Sequence, residues 1–187
     1  MSKFPSLKDH FLIATPSLMD PNFHQAVTYI IEHNEEGAMG MIINQPMDID
    51  LNELFDHLDI ETSSEFIGNK KILLGGPVQT ELGFILHSPV GNWESTMILN
   101  DDIAVTTSQD ILTAISQKQG PKHVEVILGY AGWGAGQLDE EILENSWLSV
   151  PATPEILFHT PFNKRWKAAT NLIGFDIHQL SSEAGHC

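Results

Sequence analysis

Four polar residues at the ends of apolar segments are the side chains in this sequence that could carry out acid–base chemistry. Glu32 and His33 close one segment, Asn44 closes the next, and His87 closes a later one. A carboxylate that orients a histidine is a general-base arrangement, because histidine titrates near neutral pH. If these segments form adjacent strands, the four side chains converge on one rim and make a candidate catalytic set. Hydrogen bonding at the strand ends is the alternative interpretation.

Other familiar catalytic and metal-binding patterns are missing from the sequence. None of the nine histidines belongs to a His-Glu-x-x-His motif. There is no Gly-x-Ser-x-Gly elbow, and the single cysteine, Cys187, stands at the end of the sequence. We therefore predict no intrachain disulfide, no metal site and no cofactor. Five histidines lie in polar contexts and are expected in solvent: His10, His57, His123, His159 and His178.

Residues 129–136 form a glycine-rich segment that we predict to be a loop between a strand at 123–129 and a short acidic helix. A strand, a glycine turn and a helix is also the layout of phosphate-binding loops. The pattern fails here, because Ala135 stands where a Walker loop needs lysine and Gln137 stands where a dinucleotide-binding turn needs its third glycine. Acidic residues at the start of the next helix would also repel a phosphate.

Two interpretations of this glycine segment remain open. In the first, its glycines allow positive φ or close backbone approach, and two large rings pack over neighbouring elements. In the second, the segment forms the floor of a ligand pocket or a partner surface, since glycine-rich loops on rigid strands often carry function. The candidate ligand or partner surface consists of Gly75, Gly76, Tyr130, Gly132, Trp133, Gly134 and Gly136.

The chain is strongly acidic. It has 25 Asp and Glu against 9 Lys and Arg, a formal net charge of −16. That balance argues against nucleic acid and anionic membranes as direct partners. The one basic cluster, Lys164, Arg165 and Lys167, is interpreted as a solvated face of the last helix. No apolar run approaches the ~20 residues that span a bilayer, and no signal peptide is recognisable, so we expect a cytoplasmic protein.

The elements that must position these residues come as runs of strands rather than strict β–α repeats. A four-residue turn between two strand-like segments, 27–32 and 39–44, predicts an antiparallel hairpin. This pattern predicts an α+β fold with a mixed, largely antiparallel sheet and a single domain over residues 1–187. Helices are predicted at 51–58, 108–116, 138–144 and 163–173, and short strands at 147–150 and 156–158.

Five motifs are distinctive: Phe-Leu-Ile-Ala-Thr-Pro at 11–16, Gly-Ala-Met-Gly at 37–40, Gly-Gly-Pro-Val at 75–78, Gly-Tyr-Ala-Gly-Trp-Gly-Ala-Gly-Gln-Leu at 129–138 and Glu-Asn-Ser-Trp-Leu at 144–148. In this order, over nearly the whole chain, they resemble the AlgH/YqgE family of bacterial proteins. The resemblance implies a bifurcated, partly barrel-like sheet with helices around it, in a cytosolic bacterial protein. Some members are named as regulators of alginate production or of transcription, and the family has no agreed biochemical activity.

These observations lead to one functional hypothesis and one alternative. The hypothesis is a non-catalytic regulatory or interaction module that holds a small ligand or a protein partner near the glycine segment and affects transcription indirectly. The alternative is an enzyme of unknown reaction that uses Glu32, His33, Asn44 and His87. Direct DNA binding is disfavoured by charge, and the sequence leaves the oligomeric state open.

Overall fold

The computed structural model describes residues 5–66 and 68–174 of the 187-residue chain. The expectations for His178 and Cys187 lie outside these residues. No helix in the described ranges has the length and apolar character needed to cross a membrane. The strands are β1 (His10–Ala14), β2 (Val27–Asn34), β3 (Gly37–Ile42), β4 (Pro46–Asp50), β5 (Lys71–Leu74), β6 (Val78–Ser88), β7 (Thr96–Ile98), β8 (Ala104–Thr106), β9 (His123–Trp133) and β10 (Trp147–Pro151). The α-helices are α1 (Leu51–His57), α2 (Gln109–Ser116), α3 (Gln137–Leu143) and α4 (Arg165–Ile173).

Antiparallel pairing dominates the sheet, which curls into a half-barrel. Its hydrogen-bonded order is β10-β1-β2-β3-β9-β6-β8-β7, and β4 joins through β5 to β9. The β5–β9 pair is parallel, which makes the sheet mixed. The predicted α+β fold with a mixed, largely antiparallel, partly barrel-like sheet is therefore confirmed. The predicted antiparallel hairpin is also confirmed, as the β2–β3 pair.

Strand β9 is where the sheet divides. Along one edge it pairs with β6, while along the other it pairs first with β5 at 127–128 and then with β3 at 131–133. Gly75 and Gly76 follow β5 and press against this strand. A Cβ on Gly76 would lie 2.2 Å from the carbonyl oxygen of Tyr130, and one on Gly75 would lie 2.4 Å from that of Gly129. Glycine is needed at both positions because any side chain would collide with β9.

The prediction of a loop over 129–136 is wrong for most of its length, because β9 continues to Trp133. The sequence predicts positive φ or close backbone approach for these glycines. Inside a strand, glycine marks a place where another backbone approaches closely, and this is its role where β9 meets the end of β5. A short connection, 134–136, then leads into α3.

Helices cover the apolar faces of the sheet. Helix α4 and a π-helical turn contribute Ala169 and Leu157 to the largest core cluster. Helix α3 covers a second cluster that contains Trp133. Helices α1 and α2 contribute Phe55 and Ile111 to a third cluster on the β6 side of the sheet. The π-helical turn and the start of α4 also border the candidate site.

The prediction of a strand at 156–158 is wrong, because these residues lie in the π-helical turn Glu155–His159. The amide of Thr160 donates to the carbonyl of Glu155 at 2.9 Å, which closes a turn of five residues. Ile156 and Leu157 are consecutive and both buried. A short apolar run without alternation is compatible with either a strand or a buried helical turn, so periodicity could not decide between them.

Candidate functional site

A cavity of about 610 Å³ opens between the π-helical turn, the start of α4 and the sheet. This volume falls in the range of small-molecule sites. Its walls include Lys70, just before β5, and Glu125 on β9. Phe158 lies in the wall on the π-helical turn, and Arg165 lies there at the start of α4. We call this space the Glu125 cavity.

Glu125 is a fully buried carboxylate in the wall of this cavity. Its Oε1 atom lies 3.0 Å from Lys70 Nζ and 2.9 Å from Arg165 Nη2. Its other oxygen, Oε2, is buried and has no hydrogen-bond partner within residues 5–66 and 68–174. A buried acceptor without a donor costs about 1–3 kcal/mol. Because Glu125 is fully buried, the folded protein carries this cost.

Arg165 is held by three different segments of the chain. Besides the contact with Glu125, its Nη1 donates to the carbonyl of Ile43 at 2.7 Å and its Nε donates to the carbonyl of Thr160 at 2.8 Å. The guanidinium carbon also lies 4.7 Å from the centre of the Phe162 ring, a cation–π distance. These contacts fix the arginine, and the arginine in turn fixes the carboxylate in the cavity wall.

The expectation of a solvated basic face on the last helix holds for Lys164 and Lys167, which are exposed, but is wrong for Arg165, which is 2% exposed. The physical reason is Glu125, since a buried carboxylate needs a buried cation close by. Two sequence signals could have found this pair: Glu125 is the one charged residue in the apolar run 124–128, and Arg165 is the one arginine in the chain.

Aromatic rings form another wall of the Glu125 cavity. The ring of His123 stacks on Phe158 with centroids 5.7 Å apart, and it meets His159 edge-on at 4.6 Å. Burial lowers the pKa of His123, and the nearby His159 and Lys122 lower that pKa further. Because protonation of His123 is disfavoured, the ring behind this wall is uncharged at neutral pH.

The cavity therefore offers a fixed carboxylate, an ammonium group and aromatic rings. The side chain of Lys70 is 39% exposed, whereas that of Glu125 is fully buried. The described lining contains neither serine nor cysteine. Within residues 5–66 and 68–174, no three His, Cys, Asp or Glu side chains are placed to share a metal ion. This arrangement is suited to binding an organic molecule.

The structure places Glu32 and His33, the first two candidate catalytic residues, in separate contacts near the end of β2. His33 Nδ1 accepts from the Leu7 amide at 2.9 Å, and its Nε2 lies 3.3 Å from Asp139 Oδ1. A ring nitrogen that accepts a backbone N–H carries no proton, so the proton of neutral His33 is on Nε2 and faces Asp139. Glu32 is exposed and accepts from Asn34 at 3.3 Å. The carboxylate beside His33 is thus Asp139.

Asn44, the third candidate, braces the segment that precedes β2. Its Oδ1 accepts from the Val27 amide and its Nδ2 donates to the Gln25 carbonyl, both at 2.9 Å. Asn44 also borders the Glu125 cavity. Its side-chain amide already has a partner for both its oxygen and its nitrogen, so it contributes to the site mainly by holding the cavity rim in shape.

His87, the fourth candidate, is fully buried on β6. Its Nδ1 donates to the Pro89 carbonyl at 3.0 Å, and its Nε2 lies 2.7 Å from Thr106 Oγ1. Burial lowers the pKa of His87, although the hydrogen bond to Pro89 opposes that shift. Strand β6 is three positions from β2 in the sheet order, or roughly 14 Å at the usual strand spacing. The four candidates do not form one cluster, and their catalytic role remains a prediction.

The two large rings of the glycine segment are used in packing. Trp133 is 7% exposed. Its indole N–H donates to Glu141 Oε1 at 3.3 Å, and the indole of Trp147 donates to the same oxygen at 3.1 Å. Tyr130 is half-buried and contacts the ring of Phe84 edge-on, with centroids 6.0 Å apart. A cavity of about 220 Å³ borders Trp133, which is below the usual size of a small-molecule site.

The glycines of the proposed surface fall into two groups. Gly75 and Gly76 are buried against β9, whereas Gly132, Gly134 and Gly136 are exposed. A Cβ on any of the three exposed glycines would meet no atom closer than 3.6 Å. The buried pair therefore shapes the sheet, and only the exposed group is accessible to a partner.

Comparison with known proteins places this architecture in a family. The AlgH-like family matches residues 11–178. A UPF0301 protein of Idiomarina loihiensis is 52% identical over 184 residues, which cover 97% of this chain and 98% of the relative. A UPF0301 protein of Thioalkalivibrio sulfidiphilus is 50% identical over 186 residues, which cover all of both chains.

Solved structures agree with this assignment. The solution structure of the AlgH protein from Pseudomonas aeruginosa is 45% identical, with a TM-score of 0.79 over 100% of this chain and 99% of that one. A crystal structure from Corynebacterium diphtheriae shares the fold at 19% identity, with a TM-score of 0.74 over 97% of this chain and 94% of that one. From the sequence match and the shared fold together, this chain belongs to the AlgH-like family.

Proposed function

We propose that this chain is a non-catalytic regulatory module that binds a small molecule in the Glu125 cavity, and that its effect on transcription is indirect. The observation that carries the proposal is the cavity of about 610 Å³, whose wall contains the charged side chains of Glu125, Lys70 and Arg165 beside aromatic rings. Glu125 Oε1 lies within 3.0 Å of both Lys70 and Arg165, so this charged wall is preorganised and little entropy is lost when a ligand binds. The regulatory part of the proposal rests on the family resemblance.

The alternatives have less support. A ligand pocket at residues 129–136 competes with the packing roles of Tyr130 and Trp133. An enzyme that uses His33 and His87 would have to free ring nitrogens that already have partners. Both alternatives therefore require a rearrangement, whereas a ligand in the Glu125 cavity does not displace any of these contacts.

Direct binding to nucleic acid is not part of the proposal, because a net charge of −16 opposes approach to phosphates. We propose that the protein acts in the cytosol as one domain that binds a ligand or a protein partner. Retardation of duplex DNA by the purified protein in a gel-shift assay at low salt would contradict this part of the proposal.

Native mass spectrometry of freshly purified protein tests the ligand. We expect a small-molecule adduct on the wild-type chain and its loss from Glu125→Gln, since the variant removes the buried charge that holds Lys70 and Arg165 in the cavity wall. Glu155→Gln is the matched control, because Glu155 is an exposed carboxylate on the adjacent π-helical turn. An adduct that survives Glu125→Gln, or a wild-type chain without any adduct, would contradict the proposal.

A further inference from the structure

A second cavity, of about 570 Å³, lies where the end of α2, the start of β9 and the segment before β5 meet. Its lining contains Lys70, Lys118 and Lys122, three of the eight lysines in the chain. We call this space the lysine cavity. Lys70 is distant from the other two in the sequence, so the fold brings this basic cluster together in a chain whose formal net charge is −16.

Backbone contacts hold the walls of the lysine cavity together. The amide of Ser63 donates to the carbonyl of Ser116 at 2.9 Å, which joins the segment before β5 to the end of α2. Lys70 Nζ donates to the carbonyl of Val124 at 2.7 Å, which joins the same segment to the start of β9. The cavity is therefore formed before any ligand arrives, and a preformed site loses less entropy on binding.

Two of the three lysines are available to a ligand. Lys118 and Lys122 are exposed, and neither has an ion-pair partner within residues 5–66 and 68–174. Lys118 has a φ of 59°, the left-handed conformation that glycine usually adopts just after a helix. A lysine at this position adds a cation to the cavity, which a glycine would not.

The charges around the lysine cavity do not balance. Glu65 is the one carboxylate in its described lining, so the three lysines leave a local excess of two positive charges. Lys70 also faces Glu125, but Arg165 faces the same oxygen, so this neighbouring pair does not change the excess. A ligand with two negative charges neutralises it. A long polyanion would also meet the acidic remainder of the surface, which opposes its approach.

Apolar side chains form the rest of the described lining. Phe66 and Val124 are half-buried, and Ile115 is 9% exposed. The ring of Phe66 is held by Phe55, with centroids 5.3 Å apart. Hydrocarbon on a ligand gains free energy when it is removed from water against such groups. The volume of the cavity is in the range of small-molecule sites.

We propose that the lysine cavity binds a small organic dianion with an apolar part, which is either a phosphate monoester or a dicarboxylate. The ammonium groups of Lys118 and Lys122 attract the anionic groups, and the apolar part packs against Phe66 and Val124. Lysine suits both anions, because it acts as a point charge with rotatable donors and imposes no planar geometry. This site lies in a different cavity from that of the proposed function and does not depend on it.

Two matched pairs of compounds test the proposal by isothermal titration calorimetry on the full chain at low ionic strength. Phenyl phosphate and phenyl sulfate share a ring but differ by one negative charge at about pH 8, above the second pKa of a phosphate monoester near ~6. Benzylmalonate and 3-phenylpropanoate form the second pair. In at least one pair, we expect the dianion to bind about fivefold or more tightly than the monoanion. The pair with the larger difference identifies the anionic group.

Four variants locate the binding site. Lys118→Gln and Lys122→Gln should each weaken binding of the preferred dianion by about fivefold, whereas Lys71→Gln, which removes an exposed lysine outside the cavity, should change it by less than about twofold. Glu65→Gln should strengthen binding by about twofold or more, because it removes the opposing carboxylate. Loss of folding cannot imitate a gain in affinity, so this variant separates electrostatics from stability.

The proposal is overturned if neither dianion binds more tightly than its monoanionic partner, or if none of the four compounds binds. Effects of Lys118→Gln and Lys122→Gln no larger than that of Lys71→Gln would also overturn it. If Lys118 only stabilises the end of α2, its variant will unfold at lower urea and bind the dianion unchanged, which contradicts the proposal. The proposed function fails separately, because its test is the natural adduct and its loss from Glu125→Gln.

Discussion

Replacing Arg165 with methionine tests whether the buried charge cluster at the Glu125 cavity is as important to the fold as its geometry indicates. Methionine keeps an unbranched, flexible side chain of similar length but has no guanidinium group. The substitution removes the hydrogen bonds to Glu125 at 2.9 Å, to the Ile43 carbonyl at 2.7 Å and to the Thr160 carbonyl at 2.8 Å. The variant therefore leaves a buried carboxylate and two carbonyl groups with fewer donors.

The expected cost follows from burial. Breaking a buried ion pair by removing one partner typically costs about 3–5 kcal/mol. Lys70 stays 3.0 Å from Glu125 Oε1 and still compensates part of the charge, so we expect the lower end, about 3 kcal/mol. Lys70→Met should cost only about 1 kcal/mol, because its side chain is 39% exposed and solvent can replace the pair.

Urea unfolding followed by circular dichroism measures these costs. With an m-value of about 2 kcal/mol/M, the destabilisation of Arg165→Met corresponds to a midpoint lower by about 1.5 M. Lys167→Met, an exposed position on the same helix, is the control and should stay within about 0.5 kcal/mol of the wild type. A destabilisation below about 1 kcal/mol for Arg165→Met, or one equal to that of the control, would refute the reasoning.

Three further predictions concern the rest of the fold. Gly76→Ala should lower the free energy of unfolding in urea by roughly 3 kcal/mol or more, because the new Cβ would lie 2.2 Å from the backbone of β9. Gly132→Ala, whose Cβ would have its nearest contact at 3.6 Å, should cost under about 1 kcal/mol. Similar costs for the two variants would argue against close packing where the sheet divides. Glu141→Ala should cost about 1–3 kcal/mol and alter tryptophan fluorescence, because two indole N–H groups lose their acceptor; unchanged emission would contradict those contacts. As the pH falls below 6.5, the free energy of unfolding should decrease more steeply for the wild type than for His87→Gln. The pKa of His87 is lowered in the folded protein, so the unfolded chain takes up the proton first. Parallel curves of unfolding free energy against pH would show that His87 is not responsible.

Elements with local determinants could be predicted from the sequence. Asp50 caps α1 by accepting from the Glu53 amide at 3.0 Å, and the apolar spacing that follows gives the helix its buried face. The short turn between β2 and β3 likewise sets their antiparallel pairing. In both cases the interactions that decide the structure join residues close together in the sequence, so composition and spacing were sufficient.

The extent of β9 could not be predicted, because its glycines serve a contact between distant segments. Gly75 and Gly76 lie about fifty residues before the backbone that they approach. A glycine that permits a turn and a glycine that permits close packing look identical in one sequence. The choice depends on which strand becomes the neighbour, and that information is not local.

The candidate site was missed for a related reason. Arg165 lies between two lysines that are exposed, and although it is the one arginine in the chain, that signal alone does not show that it is buried. Its burial depends on Glu125, forty residues earlier in the chain. A lone charge in an apolar run and a lone arginine mark the two residues separately, but only the contact between the start of α4 and β9 shows that they form a pair.

The position of β9 in the sheet has a consequence for synthesis of the chain. Its partners β3, β5 and β6 all precede it in the sequence and leave the ribosome first. Until residue 133 has emerged, each of those strands presents an unpaired edge, and such edges are prone to pair with other chains. A nascent chain stalled before β9 should therefore be a better substrate for chaperones, and more prone to aggregate, than one stalled just after it.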